Sequence, residues 1–214
     1  MSKSYAAFLF DMDGTLITSV ASAERVWTNW AKKHGIDVAT YLPSIHGVRS
    51  VDSIRALNRP DLDVEKEAAA IEAAEIADTA DVSEIPGAAA FLASLPPKSW
   101  AIVTSASLPL ARARLGAAGF ALPEVIITAE DVTRGKPDPQ GYKLAAERLG
   151  VDPADCLVFE DAPAGIAAGE AAGADVAVIT ATHSHPVAGG QSRMPDYSGV
   201  TLKIGADGRL SLVG

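Results

Sequence analysis

Short apolar segments alternate with helical segments over the second half of the chain, and this alternation limits the possible folds more than any other feature. Four runs have the length of buried strands, at residues 100–103, 125–128, 156–159 and 176–179. Helical patterns flank them, at residues 87–95, 108–118, 140–149 and 166–172. Strands that alternate with helices of this length form parallel βαβ units, so we expect an α/β fold with a Rossmann-like, doubly wound parallel sheet.

A further apolar run, residues 6–10, stops at two carboxylates one residue apart, Asp11 and Asp13. Its length between polar flanks predicts a strand buried on both faces. Alternate residues of an extended chain point the same way, so the two carboxylates converge just past the strand's end. They need a shared proton or a cation there, and Mg²⁺ prefers such hard oxygen ligands. Gly14 allows the backbone to turn sharply after them.

Residues 18–83 carry no strand pattern and predict a small, all-helical cap inserted after the first strand. Apolar residues at helical spacing indicate a first helix from about residue 20 to 31, which Ser19 could cap. Further helices are expected over residues 51–57 and 63–80, with the glutamates of the latter on a solvated face. The predicted domains are an α/β core of residues 1–17 plus 84–214 and a cap of residues 18–83. A terminal hairpin is expected over residues 201–213.

Polar residues directly follow three of the predicted strands, in the pairs Asp11 and Asp13, Thr104 and Ser105, and Glu160 and Asp161. Ligands bind outside the carboxyl ends of strands in an open parallel sheet, so we expect one shared site. Lys136 lies in a loop restrained by a glycine and two prolines, where a fixed ammonium could neutralise a phosphoryl group. Taken alone, Thr104 is better explained as a helix cap, and Lys136 could equally be a solvated surface lysine.

The net charge of −9 argues against non-specific binding to nucleic acid or to an anionic membrane. The single cysteine, Cys156, excludes an internal disulfide, and its apolar neighbours predict a small buried residue. No segment approaches the ~20 apolar residues that span a membrane. We therefore expect a cytoplasmic protein that acts as a monomer or weak homodimer, with neither nucleic acid nor membrane as a partner.

The pentapeptide from Asp11 to Thr15, Asp-Met-Asp-Gly-Thr, resembles the first motif of the haloacid dehalogenase (HAD) superfamily. Thr104, Lys136 and the Glu160–Asp161 pair resemble its second, third and fourth motifs in order and approximate spacing, over residues 8 to about 182. The resemblance implies that Asp11 is the nucleophile that becomes an aspartyl-phosphate and that Asp13 is the general acid and base.

Thr104 and Lys136 would hold the phosphoryl group according to the same resemblance. Mg²⁺ would be held by Asp11, Asp161 and the backbone carbonyl of Asp13, with Glu160 as a direct or water-mediated ligand. Haloacid dehalogenases proper lack the second aspartate, so the presence of Asp13 argues against dehalogenation.

The position of the helical insertion resembles the subgroup of β-phosphoglucomutase and of small sugar and polyol phosphatases. Residues 30–35, 46–49 and 103–107 look most like glycerol-phosphate and 2-deoxyglucose-6-phosphate phosphatases. The implied activity is Mg²⁺-dependent hydrolysis of a small phosphorylated metabolite. We expect Gly14, Ser105, His46 and Arg49 to contact the substrate. A phosphosugar mutase and a catalytically silent binding module remain alternatives.

Overall fold

Strands and helices alternate along the computed structural model, which describes residues 3–182 and 191–213. The strands are β1 Ala7–Phe10, β2 Ile17–Thr18, β3 Ser83–Glu84, β4 Trp100–Val103, β5 Ile126–Ile127, β6 Cys156–Glu160, β7 Asp175–Ile179, β8 Ser192–Met194, β9 Thr201–Ile204 and β10 Leu210–Val213. The α-helices are α1 Val20–Lys33, α2 Val38–Tyr41, α3 Ser50–Ala56, α4 Val64–Ala77, α5 Ala88–Ser94, α6 Leu108–Ala117, α7 Gln140–Leu149 and α8 Pro163–Ala172.

Six strands form one parallel sheet in the order β5-β4-β1-β6-β7-β8. The first strand lies near its centre, where Phe8 is paired with Trp100 on one side and Leu157 on the other. Apolar clusters cover both faces of the sheet. The predicted Rossmann-like α/β fold is therefore confirmed, and the strand that ends at Asp11 is held on both edges.

The residues of β1 divide between the two faces with the period of a strand. Phe8 and Phe10 join an aromatic cluster on one face, where the Phe10 and Phe159 rings stack with centroids 4.6 Å apart. Ala7 and Leu9 join the aliphatic cluster on the other face. Each fully buried phenylalanine stabilises the fold by roughly 1.5–3 kcal/mol. This packing fixes the position of the strand end that carries Asp11.

A short antiparallel ladder of β2 and β3 marks where the chain leaves and re-enters the sheet layer. The chain between the two strands forms α1 to α4, which share an apolar cluster of their own. Trp27 and Trp30 lie in this cluster, 4% and 6% exposed, as their helical spacing predicted. We call this segment the helical insertion. The predicted domain boundaries at residues 17/18 and 83/84 fall within the ladder and stay a prediction.

Two local expectations about the insertion are wrong. Ser19 precedes α1, but its hydroxyl makes no capping bond and instead donates to Asp13 Oδ1 at 2.5 Å. The glutamates of α4 do not all face solvent, because Glu75 is 4% exposed. Both side chains turn towards the end of β1, which indicates that they serve the site there rather than the helix.

The terminal hairpin is confirmed by the antiparallel pairing of β9 with β10. The edge strand β8 was not predicted, because its three residues lack an apolar pattern. Cys156 is buried, as expected. Across residues 3–182 and 191–213, no helix has both the length and the apolar character needed to cross a membrane.

Candidate active site

The carboxyl ends of β1, β4 and β6 bring the predicted polar residues to one cleft. Asp11 directly follows β1, and its backbone N–H donates to Phe159 O at 2.9 Å. Thr104 follows β4, and Asp161 follows β6. These three residues line the cleft together with Asp13, Ser105 and Ala162 from the sheet layer and with Trp27, His46 and Glu75 from the insertion. The site is thus a cleft between the sheet edge and the helical insertion.

Lys136 is buried beneath this cleft rather than solvated. Its Nζ lies 2.6 Å from Asp11 Oδ1 and 2.6 Å from Glu160 Oε1. Tyr142 donates its hydroxyl proton to the same Glu160 oxygen at 2.9 Å. Burial by itself would lower the pKa of Lys136, but the facing carboxylates of Asp11 and Glu160 outweigh it and hold that pKa above its usual range. Lys136 therefore stays a charged ammonium at neutral pH.

Three buried carboxylates, those of Asp11, Glu160 and Asp161, each offer an oxygen within 4.8 Å of the others. Burial raises the pKa of Asp11 well above its usual value, Lys136 opposes this, and Glu160 and Asp161 raise the pKa further. One ammonium cannot balance three carboxylates. A set of hard oxygen donors with excess negative charge suits a divalent cation such as Mg²⁺, so the residues present fit the predicted metal.

Gly14 lies where the turn after β1 packs directly against Asp161. Its φ of +83° belongs to the left-handed region, which favours glycine. A Cβ atom at this position would lie 2.0 Å from Asp161 Oδ2. Thr15 Oγ1 donates to the other oxygen of Asp161 at 3.4 Å. Gly14 is therefore required for Asp161 to lie close to the end of β1.

The carboxylate of Asp13 is held from two sides. Ser19 Oγ donates to Asp13 Oδ1, and Arg114 Nη1 donates to the same oxygen at 3.1 Å. Arg114 belongs to α6 and is 4% exposed, and its Nη2 donates to Glu75 Oε1 in the insertion at 3.1 Å. Burial and the Asp13 charge raise the pKa of Glu75, while Arg114 opposes both. A buried cation thus connects the acidic turn to the helical insertion.

Sequence reasoning missed both Arg114 and Glu75. A signal for Arg114 existed, because helical spacing places it on the same buried face of α6 as Leu110, Ala111 and Leu115. A weaker signal existed for Glu75, because it lies one helical turn after Ile71 and both residues are buried in α4.

Two of the predicted substrate residues lie where the insertion meets the sheet layer. His46 lines the cleft, with its Nε2 3.3 Å from Glu24 Oε1. Ser105 Oγ donates to the carbonyl oxygen of Gly47 at 2.8 Å. The insertion is therefore in direct hydrogen-bond contact with the residue that follows Thr104.

Arg49 has a different environment. Its Nη1 donates to Val132 O at 2.9 Å and its Nη2 to Thr133 O at 3.1 Å, both in the loop that leads to Lys136. A Cβ at Gly135 would lie 2.7 Å from Arg49 Nε, so the arginine packs on this loop. Arg49 is not among the described residues that line the cleft, and lies beside an adjoining cavity.

The sequence matches the family model described as a haloacid dehalogenase-like hydrolase over residues 5–173. The chain belongs to this family. The match includes the four segments that carry Asp11, Thr104, Lys136 and Asp161. The resemblance inferred from these motifs is therefore confirmed.

Characterised relatives of this HAD-like hydrolase are phosphatases. It is 44% identical over 183 residues to hexitol phosphatase A of Escherichia coli, which covers 84% of the chain and 85% of that protein. It is 37% identical over 206 residues to 2-deoxyglucose-6-phosphate phosphatase 2 of Saccharomyces cerevisiae, with 84% and 81% covered. A hydrolase from Pseudomonas syringae superimposes with a TM-score of 0.75 at 26% identity, covering 82% of the chain and 84% of its own. The predicted enzyme class, a phosphatase, is confirmed by these relatives.

Proposed function

We propose that this hydrolase removes the phosphoryl group from a small sugar or polyol phosphate, with Mg²⁺ and through an aspartyl-phosphate. The observation that carries the proposal is the buried Lys136 ammonium, which lies 2.6 Å from Oδ1 of Asp11, a residue that lines the cleft. The names of the relatives, a hexitol phosphatase and a 2-deoxyglucose-6-phosphate phosphatase, support this substrate class.

Asp11 is the proposed nucleophile. Lys136 fixes its carboxylate and offsets the charge that the phosphoryl group brings. One oxygen of Asp11 forms a bond to phosphorus as the bond to the leaving oxygen breaks in line with it. Thr104 Oγ1 already accepts from the Ala106 N–H at 3.0 Å, so its own hydroxyl proton is oriented away and can be donated to a phosphoryl oxygen.

Asp13 is the proposed acid and base. Its protonated carboxyl gives a proton to the leaving alkoxide, and the resulting carboxylate then takes a proton from the water that hydrolyses the aspartyl-phosphate. Hydrolysis restores the carboxylate of Asp11. Ser19 and Arg114 both contact Asp13 Oδ1, which restricts the carboxyl to one orientation during these transfers.

Asp11 and Asp161 would hold Mg²⁺ directly, with the backbone carbonyl of Asp13. Glu160 accepts hydrogen bonds from Lys136, Tyr142 and the N–H groups of the two residues that follow it, so we place it as a ligand through water. A bound Mg²⁺ supplies positive charge against the phosphoryl oxygens. We further propose that residues 18–83 act as a cap, with His46, Ser105 and Gly14 around the substrate. Cytoplasmic location and a monomer or weak homodimer stay predictions.

The test is phosphate release from a panel of phosphomonoesters with Mg²⁺ and with a chelator. The panel contains glycerol 1-phosphate, a hexitol phosphate, 2-deoxyglucose 6-phosphate, phosphoglycolate and a nucleotide. We expect metal-dependent release that favours the sugar and polyol phosphates, and none from the Asp11→Asn variant. Metal-independent release, or a preference for the nucleotide, would contradict the proposal. Isomerisation of a sugar phosphate with a bisphosphate activator, without net phosphate release, would show a mutase.

A further inference from the structure

Arg114 and Glu75 form a buried ion pair inside the cleft, of which the proposed chemistry uses only the contact from Arg114 to Asp13. The Arg114 guanidinium lies between two carboxylates, with Nη1 3.1 Å from Asp13 Oδ1 and Nη2 3.1 Å from Glu75 Oε1. Both side chains of the pair are 5% exposed, and both residues line the cleft. The pair joins α6 of the sheet layer to α4 of the insertion. A buried ion pair is costly to desolvate and adds little stability, so its presence calls for another role.

The pair retains hydrogen-bonding capacity. Arg114 Nε is buried and has no hydrogen-bond partner among the residues that the structure describes. A carboxylate has about four acceptor positions, and the side-chain donors to Glu75 are Arg114 and Trp27, so acceptor positions remain for a ligand. The unpaired guanidinium N–H can donate to a hydroxyl-bearing molecule, and the neighbouring carboxylate can accept from the same molecule.

The short distance between Arg114 and Asp13 places the Arg114–Glu75 pair beside the leaving group rather than beside the phosphoryl group. On the proposed function, Asp13 must contact the ester oxygen in order to protonate it. Arg114 is hydrogen-bonded to Asp13, and Glu75 is hydrogen-bonded in turn to Arg114. The carbon atoms next to the ester oxygen therefore pass along this pair.

The charges decide which leaving groups suit this position. The positive charge of Arg114 is already matched by the Glu75 carboxylate, and the same guanidinium also contacts Asp13. A second phosphate or a carboxylate on the substrate would lose its own hydration there, find no uncompensated positive charge and be repelled by Glu75. A hydroxyl instead can donate to Glu75 and accept from Arg114 at little cost.

We propose that the Arg114–Glu75 pair determines specificity by accepting leaving groups with hydroxyls near the ester oxygen and rejecting those with a second anionic group. The inference rests on the proposed phosphatase function and narrows its substrates to uncharged polyhydroxy monophosphates. Neither residue is a nucleophile or proton donor in it.

The experiment compares Glu75→Gln with the wild-type enzyme on three substrates. Glycerol 1-phosphate has hydroxyls and no second anion, p-nitrophenyl phosphate has no aliphatic hydroxyl, and 3-phosphoglycerate has a second anion. We expect kcat/KM for glycerol 1-phosphate to fall about tenfold more than kcat/KM for p-nitrophenyl phosphate, mainly through KM, because a hydrogen bond to a charged group is lost. We expect kcat/KM for 3-phosphoglycerate to rise, since a repelling charge is removed.

The matched control is Glu72→Gln on the same helix. Glu72 Oε1 accepts from Ser107 Oγ at 2.6 Å, and Glu72 lies outside the described lining of the cleft. Its substitution should leave the ratios between the three substrates as in the wild type. Arg114→Lys keeps the positive charge but loses the forked geometry, so it should weaken glycerol 1-phosphate hydrolysis without admitting 3-phosphoglycerate.

Equal losses for all three substrates in Glu75→Gln would overturn the inference and leave the phosphatase proposal standing. Such a result would show that the pair only holds the insertion in place. Absence of phosphate release by the wild-type enzyme from every substrate would instead overturn the proposed function, and the inference with it.

Discussion

Arg49 Nη1 in the helical insertion lies 2.9 Å from Val132 O in the loop that leads to Lys136. A second bond, from Nη2 to Thr133 O, fixes the guanidinium plane. The insertion therefore contacts the loop that positions the buried ammonium as well as the cleft. This contact connects the seating of the insertion to the placement of Lys136 beside Asp11.

Replacing Arg49 by alanine should lower kcat/KM about tenfold for p-nitrophenyl phosphate and glycerol 1-phosphate alike. The reason is the loss of two hydrogen bonds, each worth roughly 0.5–1.5 kcal/mol, that position a loop common to both reactions. Arg55→Ala is the control, because Arg55 is an exposed arginine of α3, the helix that begins directly after Arg49. A loss confined to glycerol 1-phosphate would instead support the substrate-contacting role that the sequence predicts for Arg49.

Replacing Asp11 by asparagine should reduce turnover by a factor of about 1,000 or more, because an amide cannot act as the nucleophile. The fold should survive, since the substitution removes one charge from a crowded group of carboxylates. We expect a melting temperature without Mg²⁺ that equals or exceeds that of the wild type. Appreciable residual hydrolysis by the folded variant would remove Asp11 as the nucleophile.

Adding Mg²⁺ to the chelator-treated protein should raise its melting temperature. Binding to the native state alone stabilises it by about 2.7 kcal/mol at a concentration one hundred times Kd. Thermal unfolding followed at increasing Mg²⁺ measures the effect. Asp161→Asn should abolish most of the shift, whereas Asp207→Asn, at an exposed position between β9 and β10, should preserve it. An unchanged shift in the Asp161 variant would place the cation elsewhere.

Glu67 should stabilise the insertion in a pH-dependent manner. The hydrogen bond from Trp30 Nε1, at 2.8 Å, lowers the pKa of Glu67 against the effect of burial, and His34 adds to this. A lowered native pKa means that the stabilisation is complete above the unfolded value of about 4.5 and is lost as the pH falls through the native pKa.

We therefore expect Glu67→Gln to lower the free energy of unfolding by about 1–2 kcal/mol at pH 7 and to have a smaller effect at pH 3. Urea unfolding at the two pH values measures the difference. Glu65→Gln, at an exposed position of the same helix, is the control and should change the free energy of unfolding little at either pH. An effect of equal size at pH 3 and pH 7 would rule out the ionised carboxylate as its source.

Much of the fold could be predicted because its strands and helices can be recognised from local sequence patterns. The strand Trp100–Val103 and the helix Gln140–Leu149 have the predicted bounds, since each is a regular apolar pattern closed by polar residues or glycine. The family and the convergence of strand ends followed from short motifs next to those strands. The roles assigned to these residues stay predictions until the experiments above are done.

Contacts between distant segments could not be predicted. The ion pair of Glu75 with Arg114 could not be predicted, because residue spacing within α4 does not show which residue of the sheet layer lies opposite Glu75. The orientation of Arg49 depends on how the insertion meets the loop at Val132, which residue spacing does not encode. Ser19 was predicted to accept from a backbone N–H of α1, but its hydroxyl instead donates to the nearby Asp13 carboxylate.

The central position of β1 also has a consequence for how the enzyme is made. The strand that carries Asp11 is synthesised before β4 and β6, yet Trp100 of β4 and Leu157 of β6 are its pairing partners. Non-local pairings of this kind form late, because loop closure costs entropy before the contact repays it. Asp11 therefore cannot reach its final position until the chain has been synthesised through β6. A nascent chain arrested before β6 should show no Mg²⁺-dependent protection from proteolysis, and protection at that length would refute this order of assembly.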